Sequence, residues 1–323
     1  MASPNISELA TVAIENRRRK LADNVSDNTA LLNRLKKRGK SSPISGGRTI
    51  YEELEYAENE TFKRFSGYEV LNIQPSDVFS AAEFDLRQVA VAITISGRER
   101  LQNAGKEKMI DLLSKRVGNA EKTMVNGLSN DLYSNGEADS GKQIDGLAAA
   151  LPATATSGTY GGINRANFDF WRHQENDGSG SGFAVSNDGI RNAMMNMYVS
   201  ICRNMDKVDL IPMGNAFYTG YWESLQDQQR FTNPNMGKMG FMNLKFLTAD
   251  CVLDGGFGGS LGANLAYMLN TNYLFWRPHK DQNMEVSMDR YATNQDAMVR
   301  FILWAGNLTC SNVSLQGRLQ RAA

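Results

Sequence analysis

The sequence predicts a mixed α+β fold built around one long helix, and three observations predict it. From Lys106 to Tyr133, the apolar residues Met109, Leu113, Val117, Ala120, Met124, Leu128 and Leu132 recur at steps of four, four, three, four, four and four. That spacing stays on one face of a helix of 3.6 residues per turn, and the helix would run roughly 42 Å at about 1.5 Å per residue. Val89, Val91, Ile93 and Ile95 alternate over Gln88–Ile95, the period of a strand. Helix-like and strand-like segments then follow one another with no regular β-α-β alternation and no internal repeat, which excludes a parallel doubly wound sheet.

In chain order, residues 1–46 form an N-terminal arm. It is basic at Arg17, Arg18, Arg19 and Lys20 and again from Arg34 to Lys40, including Lys36 and Lys37, over a thin apolar stripe of Leu9, Val12, Leu21, Leu31, Leu32 and Leu35. Such a helix is marginal alone and needs a partner surface. Lys40–Gly47 breaks it. The charge then reverses at Glu52, Glu53, Glu55, Glu58 and Glu60. This acidic patch can pair with the arm within or between subunits, or be a solvated face, since exposed pairs are worth under about 1 kcal/mol.

Gly67–Pro75 reads as a strand ended by proline, with Gln88–Ile95 as its return, so that residues 47–96 form an extended hairpin. Two strands without a third are marginal in water; a hairpin of this kind is best stabilised against another molecule. Asn135-Gly136 stops the long helix. Phe168, Phe170 and Trp171 form an aromatic cluster, and the glycine-rich Glu175–Gly182 marks a boundary. Beyond it lie helices over 187–203 and 214–229 and strands at Val208–Met213, Asn243–Leu247, Cys251–Leu253, Ala266–Leu269 and Tyr273–Trp276. Met298–Trp304 and Leu308–Leu315 read as two closing strands joined across Ala305–Asn307. The helix stripe is expected to pack under them, with Lys115, Arg116, Glu121 and Lys122 on an outward or lumenal face.

Composition narrows the function. With 35 basic and 35 acidic residues the chain lacks the charge of a dedicated nucleic-acid binder. Its three cysteines are scattered, which suits a reducing compartment rather than a disulfide framework. The polar start lacks the apolar core of a signal peptide. The longest uncharged run, Gly255–Trp276, is broken by five glycines and three asparagines and is no membrane span.

Motifs for catalysis lack their context. Gly258-Gly-Ser-Leu-Gly262 matches G-x-S-x-G, but no acid lies between Ser260 and His279 and the following segment reads as strand, so a mobile loop is the better reading. Near-matches to dinucleotide and phosphate-binding loops fail at Leu261 and Arg34. His173 has Glu175 and Asp177 nearby but no metal-ligand spacing, so it reads as part of a solvated acidic turn rather than a cation site. No cofactor, metal or catalytic residue is indicated.

This order of parts resembles the major capsid proteins of tailed bacteriophages, with the Hong Kong 97-type fold shared with encapsulins and the herpesvirus capsid floor. The wording after the long helix is similar too: Asn135-Gly136, Gln143-Ile144, Gly146-Leu147, Gly158-Thr-Tyr-Gly-Gly-Ile-Asn-Arg165 and Phe170-Trp-Arg172. The resemblance implies an arm (1–46), an E-loop hairpin (47–96) laid over the neighbouring subunit, a peripheral domain (97–182) with the spine helix 106–133, an axial domain (183–285) and returning peripheral strands (286–323). It implies E-loop contacts through Tyr68, Val70, Ile73, Phe79 and Phe84, and arm contacts of Arg17–Lys20, Lys36 and Lys37 to scaffold, DNA or a neighbour. The acidic patch Glu52, Glu53 and Glu55 would face such contacts, and Gly255, Gly256, Gly258 and Gly259 would lie near the capsomer axis. Hexamers and pentamers would tile an icosahedral head around double-stranded DNA, assembled in the host cytoplasm with a portal and decoration proteins. The hairpin starts too early to leave room for a fused scaffolding segment, so a separate scaffolding protein is implied. Lys63 lies where some members crosslink, without a motif for it. The alternatives are an encapsulin-like nanocompartment shell and, more remotely, a hydrolase using Ser260.

Overall fold

The computed structural model describes residues 29–102, 106–177, 187–225, 243–254, 261–288, 290–291 and 295–320. The described residues open on helix α1 (Ala30–Lys37), whose Leu31, Leu32 and Leu35 are buried. Strands β1 (Thr49–Glu55) and β2 (Phe79–Asp85) pair antiparallel from Thr49↔Asp85 to Glu55↔Phe79. β3 (Arg87–Ser96) leads into α2 (Gly97–Gln102) and the long α3 (Lys106–Asp131). The expected stripe of α3 is buried at Val117, Ala120, Met124 and Leu128 and continues to Leu132; the side chains of Met109 and Leu113 lie outside the description. Arg116, expected on an outward or lumenal face, instead donates to the carbonyl of Thr94 and pairs with Glu99, tying α3 to β3 and α2.

Past α3 the chain turns at Gly136, whose φ of +78° suits glycine. The short pair β4 (Thr159–Tyr160) and β5 (Ile163–Asn164) and the strand β6 (Gln174–Asn176) follow. The second half holds α4 (Asn187–Ile201), β7 (Leu210–Met213), α5 (Asn215–Ser224), β8 (Asn243–Phe246), β9 (Ala249–Leu253) and β10 (Leu265–Met268). β11 (Leu274–Val286), β12 (Arg290–Tyr291), β13 (Ala297–Cys310) and β14 (Gly317–Gln320) complete it.

Two larger sheets result. One has the order β6-β14-β10-β7-β9-β8; the other has β13 at its centre, β3 on one side and β11 and β12 on the other. Beyond β11, residues 40–44 run alongside, with the amide of Ile44 donating to Pro278 O at 2.9 Å and that of Lys280 to Ile44 O at 2.8 Å. Trp276 and Trp304 stack across β11 and β13 at 4.7 Å. One hydrophobic cluster joins α1, α3, the β1–β2 base and the β13 sheet. A second lies between α4, α5 and the six-stranded sheet.

Two expectations are corrected. Gly67–Pro75 forms no strand and Gln88–Ile95 is not its return: β3 pairs with β13, from Ser96↔Ala297 to Arg87↔Gly306. Residues 67–75 have strand-like alternation, but no strand among the described residues pairs with them, and Asn72 turns the backbone by accepting the Gln74 amide at 3.1 Å. The hairpin ladder uses residues 49–55 and 79–85 instead. Next, the expected break at Ala305–Asn307 is absent: β13 runs unbroken through it to Cys310, and residues 311–315 form no strand. Gly306 marks a close backbone approach rather than a turn, since a Cβ there would collide with Arg277 O and with Pro278 Cα at 2.9 Å. Asn307 is fully buried and donates to Asp85 O at 2.9 Å and Asp145 Oδ2 at 2.7 Å. Of the remaining strands, β6 and β14 join the six-stranded sheet, while β11 belongs with β13.

Candidate assembly surface

The β1–β2 hairpin differs along its length. At its base, alternate residues Ile50, Glu52 and Leu54 of β1 and Ala82 and Phe84 of β2 face the core. Phe84 is 2% exposed and meets Tyr160 edge-on at 5.0 Å, with Gly161 beneath: a Cβ on Gly161 would lie 2.9 Å from the Phe84 ring and from Ala82 Cβ. The Glu83 amide donates to Gly161 O at 3.0 Å. Phe84 therefore packs within its own subunit and is not an exposed contact residue, a correction its alternation with Glu83 and Asp85 could have supplied.

Glu52 is corrected in the same way. It is buried rather than part of a surface patch, and receives Arg277 through Nε at 2.7 Å and Nη2 at 2.9 Å, a two-pronged charge-assisted pair. Thr309 Oγ1 donates to the same carboxylate at 2.7 Å, and Arg277 also reaches Ser42 Oγ. One buried carboxylate thus fixes the hairpin base to β11, β13 and the segment after α1. Glu53 and Glu55, on the opposite face of β1, are exposed. The periodicity of β1 separates these three glutamates; composition alone merged them.

The tip is different. Between Tyr56 and Val78 the chain runs through turns, and large apolar side chains point into solvent: Phe62 is 81% exposed, Val70 87% and Ile73 90%, while Tyr68 is fully exposed. Phe79, at the end of β2, is also largely exposed. Local bonds hold this segment: Lys63 pairs with Glu69 at 3.2 Å, and Asn59 accepts from the Thr61 amide at 3.0 Å. Four of the five expected contact residues (Tyr68, Val70, Ile73 and Phe79) lie on one exposed projection. Phe62 and Phe65 belong with them and were missed; both interrupt an otherwise charged stretch, which hid them.

Along α1 the basic residues divide. Arg34 reaches the carboxylates of Asp250 and Asp209, and Arg38 reaches Asp209 at 3.2 Å, so these two are internal ties to the six-stranded sheet. Lys36 and Lys37, between them, are exposed. Arg17, Arg18, Arg19 and Lys20, the glycines at 255, 256, 258 and 259, and Ser260 lie outside the described residues.

His173 does not sit in a solvated turn. It is buried, and burial together with Arg165 and Arg318 lowers its pKa to about 3, so it is neutral. Glu175 is occupied by the Ala155 amide at 2.6 Å. At Asp254 burial raises the pKa to about 6, against the opposing effect of the Tyr133 hydroxyl that donates to it.

No protein-family model matches the chain, and no curated protein sequence matches it. Among solved structures it is similar to a chain of the cyanophage A-1(L) capsid asymmetric unit, with a TM-score of 0.66 and 16% identity over 86% of this chain and 89% of that one. A chain from the capsid of Myoviridae phage XM1 aligns with a TM-score of 0.51 and 11% identity, covering 89% and 92%. One from the satellite phage P4 procapsid, which includes a size determination protein, aligns with 0.50 and 8%, covering 99% and 92%. Identities this low speak to fold, and the alignments run nearly end to end. The architecture of this chain is the Hong Kong 97-type α+β fold found in phage capsid chains.

Proposed function

We propose that this chain is a major capsid protein, a structural tile without enzymatic activity that assembles into hexamers and pentamers of an icosahedral phage head around double-stranded DNA. The observation that carries the reading is the exposed apolar hairpin tip on a chain whose fold resembles solved phage capsid chains. Exposed large apolar residues in a contiguous stretch are costly for a monomer and mark contact sites. In a closed symmetric assembly many modest contacts add up.

The balanced charge fits a shell lining that touches packed DNA without gripping it, because affinity grows with each phosphate neutralised. A separate scaffolding or size-setting protein and a portal are the partners this reading requires. Negative-stain microscopy of the expressed chain, alone and with a scaffolding partner, tests it: shells, tubes or ring-shaped capsomers are expected. A monodisperse monomer by light scattering under both conditions would overturn it. Particles filled with enzyme rather than genome-length DNA would make it a nanocompartment shell instead.

A further inference from the structure

A cleft of about 820 Å3 opens between the Thr49/Asp85 end of the β1–β2 ladder and residues within 148–165. One of its three arginines is neutralised: Arg87 pairs with Asp85 at 3.6 Å and with Asp145 at 3.8 Å. The other two, Arg165 and Arg318, have no carboxylate within ion-pair reach among the described residues. Arg165 is 2% exposed, and its hydrogen bonds go to the carbonyl oxygens of Ala149, Ala150 and Ser157. Arg318, on β14, reaches Leu151 O at 3.5 Å and Gln320 Oε1 at 3.0 Å. Glu175 lies beside Arg318 in the β6–β14 pairing but accepts the Ala155 amide at 2.6 Å instead.

These two charges act on one locality, since both depress the pKa of the buried His173. Burial lowers the Arg165 pKa, and no carboxylate is among the groups that oppose it. Arg165 Nε, Arg318 Nε and the hydroxyl of Tyr160, another cleft residue, are all buried without a hydrogen-bond partner. Buried donors nearly always have an acceptor, so three unmatched ones beside one cleft call for an acceptor there. Gly158, at a φ of +84°, is held in a conformation that favours glycine, and a Cβ there would stand 3.5 Å from Arg165 Nη1. No side chain from residue 158 therefore covers that nitrogen.

We propose that Arg165 and Arg318 form a binding site for the phosphate group of a small molecule. A phosphate group carries about −1.5 to −2 charges at pH 7, which matches two uncompensated guanidiniums, and the planar guanidinium fork suits phosphate oxygens. The volume falls within the range of small-ligand pockets, about 300–1,000 Å3, which favours a small molecule over a polymer. Bound there, the phosphate would join β14 of the six-stranded sheet to the segment that packs against the hairpin base. The site needs no second copy and stands independently of the shell reading.

Inorganic phosphate is the probe, added to the full unassembled chain at an ionic strength held constant with chloride. The melting temperature should climb with phosphate concentration, as linkage requires of a ligand that binds only the folded chain. Arg318→Gln should remove the climb, while Arg64→Gln, at an exposed position in the hairpin tip, should keep it. No climb in wild type, or an equal climb in R318Q, overturns the site. A second measurement needs no variant and decides the matter if R318Q fails to fold. Phenylglyoxal modifies accessible arginines, and peptide mass spectrometry of the wild-type chain should show phosphate slowing modification of Arg318 severalfold while Arg64 reacts as before. Equal modification of Arg318 with and without phosphate, or equal shielding of both arginines, overturns the site.

Discussion

The base and the tip of the β1–β2 hairpin belong to one stretch of chain, yet they solve opposite problems. At the base, Phe84, Ile50 and Leu54 are buried and Glu52 is paired with Arg277. At the tip, comparable apolar side chains face solvent and only local turns hold the backbone. The contrast separates what folds the chain from what the proposed assembly would use. A projection can carry exposed apolar surface without disturbing the fold when its root is fixed by a buried charge pair and an aromatic anchor.

The largest effects should come from breaking the root. Glu52→Ala leaves the half-buried Arg277 guanidinium without its carboxylate, and losing one partner of a buried pair costs at most about 3–5 kcal/mol. Phe84→Ala removes the ring packed on Tyr160 and Gly161, and Phe→Ala in a core costs about 3–5 kcal/mol. Urea denaturation of the unassembled subunit measures both. If either variant unfolds with the wild-type midpoint, the hairpin base is not part of the subunit core.

A smaller effect, dependent on pH, should appear at Asp254, where β9 ends near the close of α3. Its folded pKa of about 6 lies above the ordinary 3.8, so the folded chain holds this proton more tightly than the unfolded chain. The contribution is therefore full below about pH 3.8 and is lost as pH rises through about 6, amounting to roughly 3 kcal/mol. Asp254→Asn should abolish this slope and stabilise the subunit near neutral pH. An unchanged pH profile of unfolding would mean that Asp254 is solvated in solution.

How much of this was legible in the sequence follows from how local each signal is. The long helix and its buried stripe were readable because Val117, Ala120, Met124, Leu128 and Leu132 sit at helical spacing. The alternation of β3 was readable too, but its partner was not: Val89 and Val91 pair with residues more than two hundred positions away, and period alone does not name a partner. Gly306-Asn307 looked like a turn because glycine and asparagine favour turns, whereas close packing against β11 uses the same residues inside a strand. Tyr68 and Ile73 were read as strand residues and named as contacts only through the resemblance to an E-loop; that they stand exposed on a projection came from the structure. Glu52 was misplaced because a run of glutamates reads as one surface until alternation assigns one of them inward.

The smallest effect on the subunit should accompany the most complete effect on assembly, and it falls at the tip. Tyr68 and Ile73 touch so little of their own chain that replacing both with serine should move subunit stability by no more than about 0.5 kcal/mol, as for other surface changes. The same double variant removes two large apolar groups from the offered surface. Contacts of this kind concentrate in a few aromatic and aliphatic anchors, each worth about 2 kcal/mol or more when central. A shell multiplies that loss by every contact in it, so the variant should melt like wild type and yet remain as unassembled subunits by light scattering. If it assembled normally, the tip would be a solvated projection and the division between root and tip would lose its meaning. If it failed to fold, the tip would belong to the core it is seen to avoid.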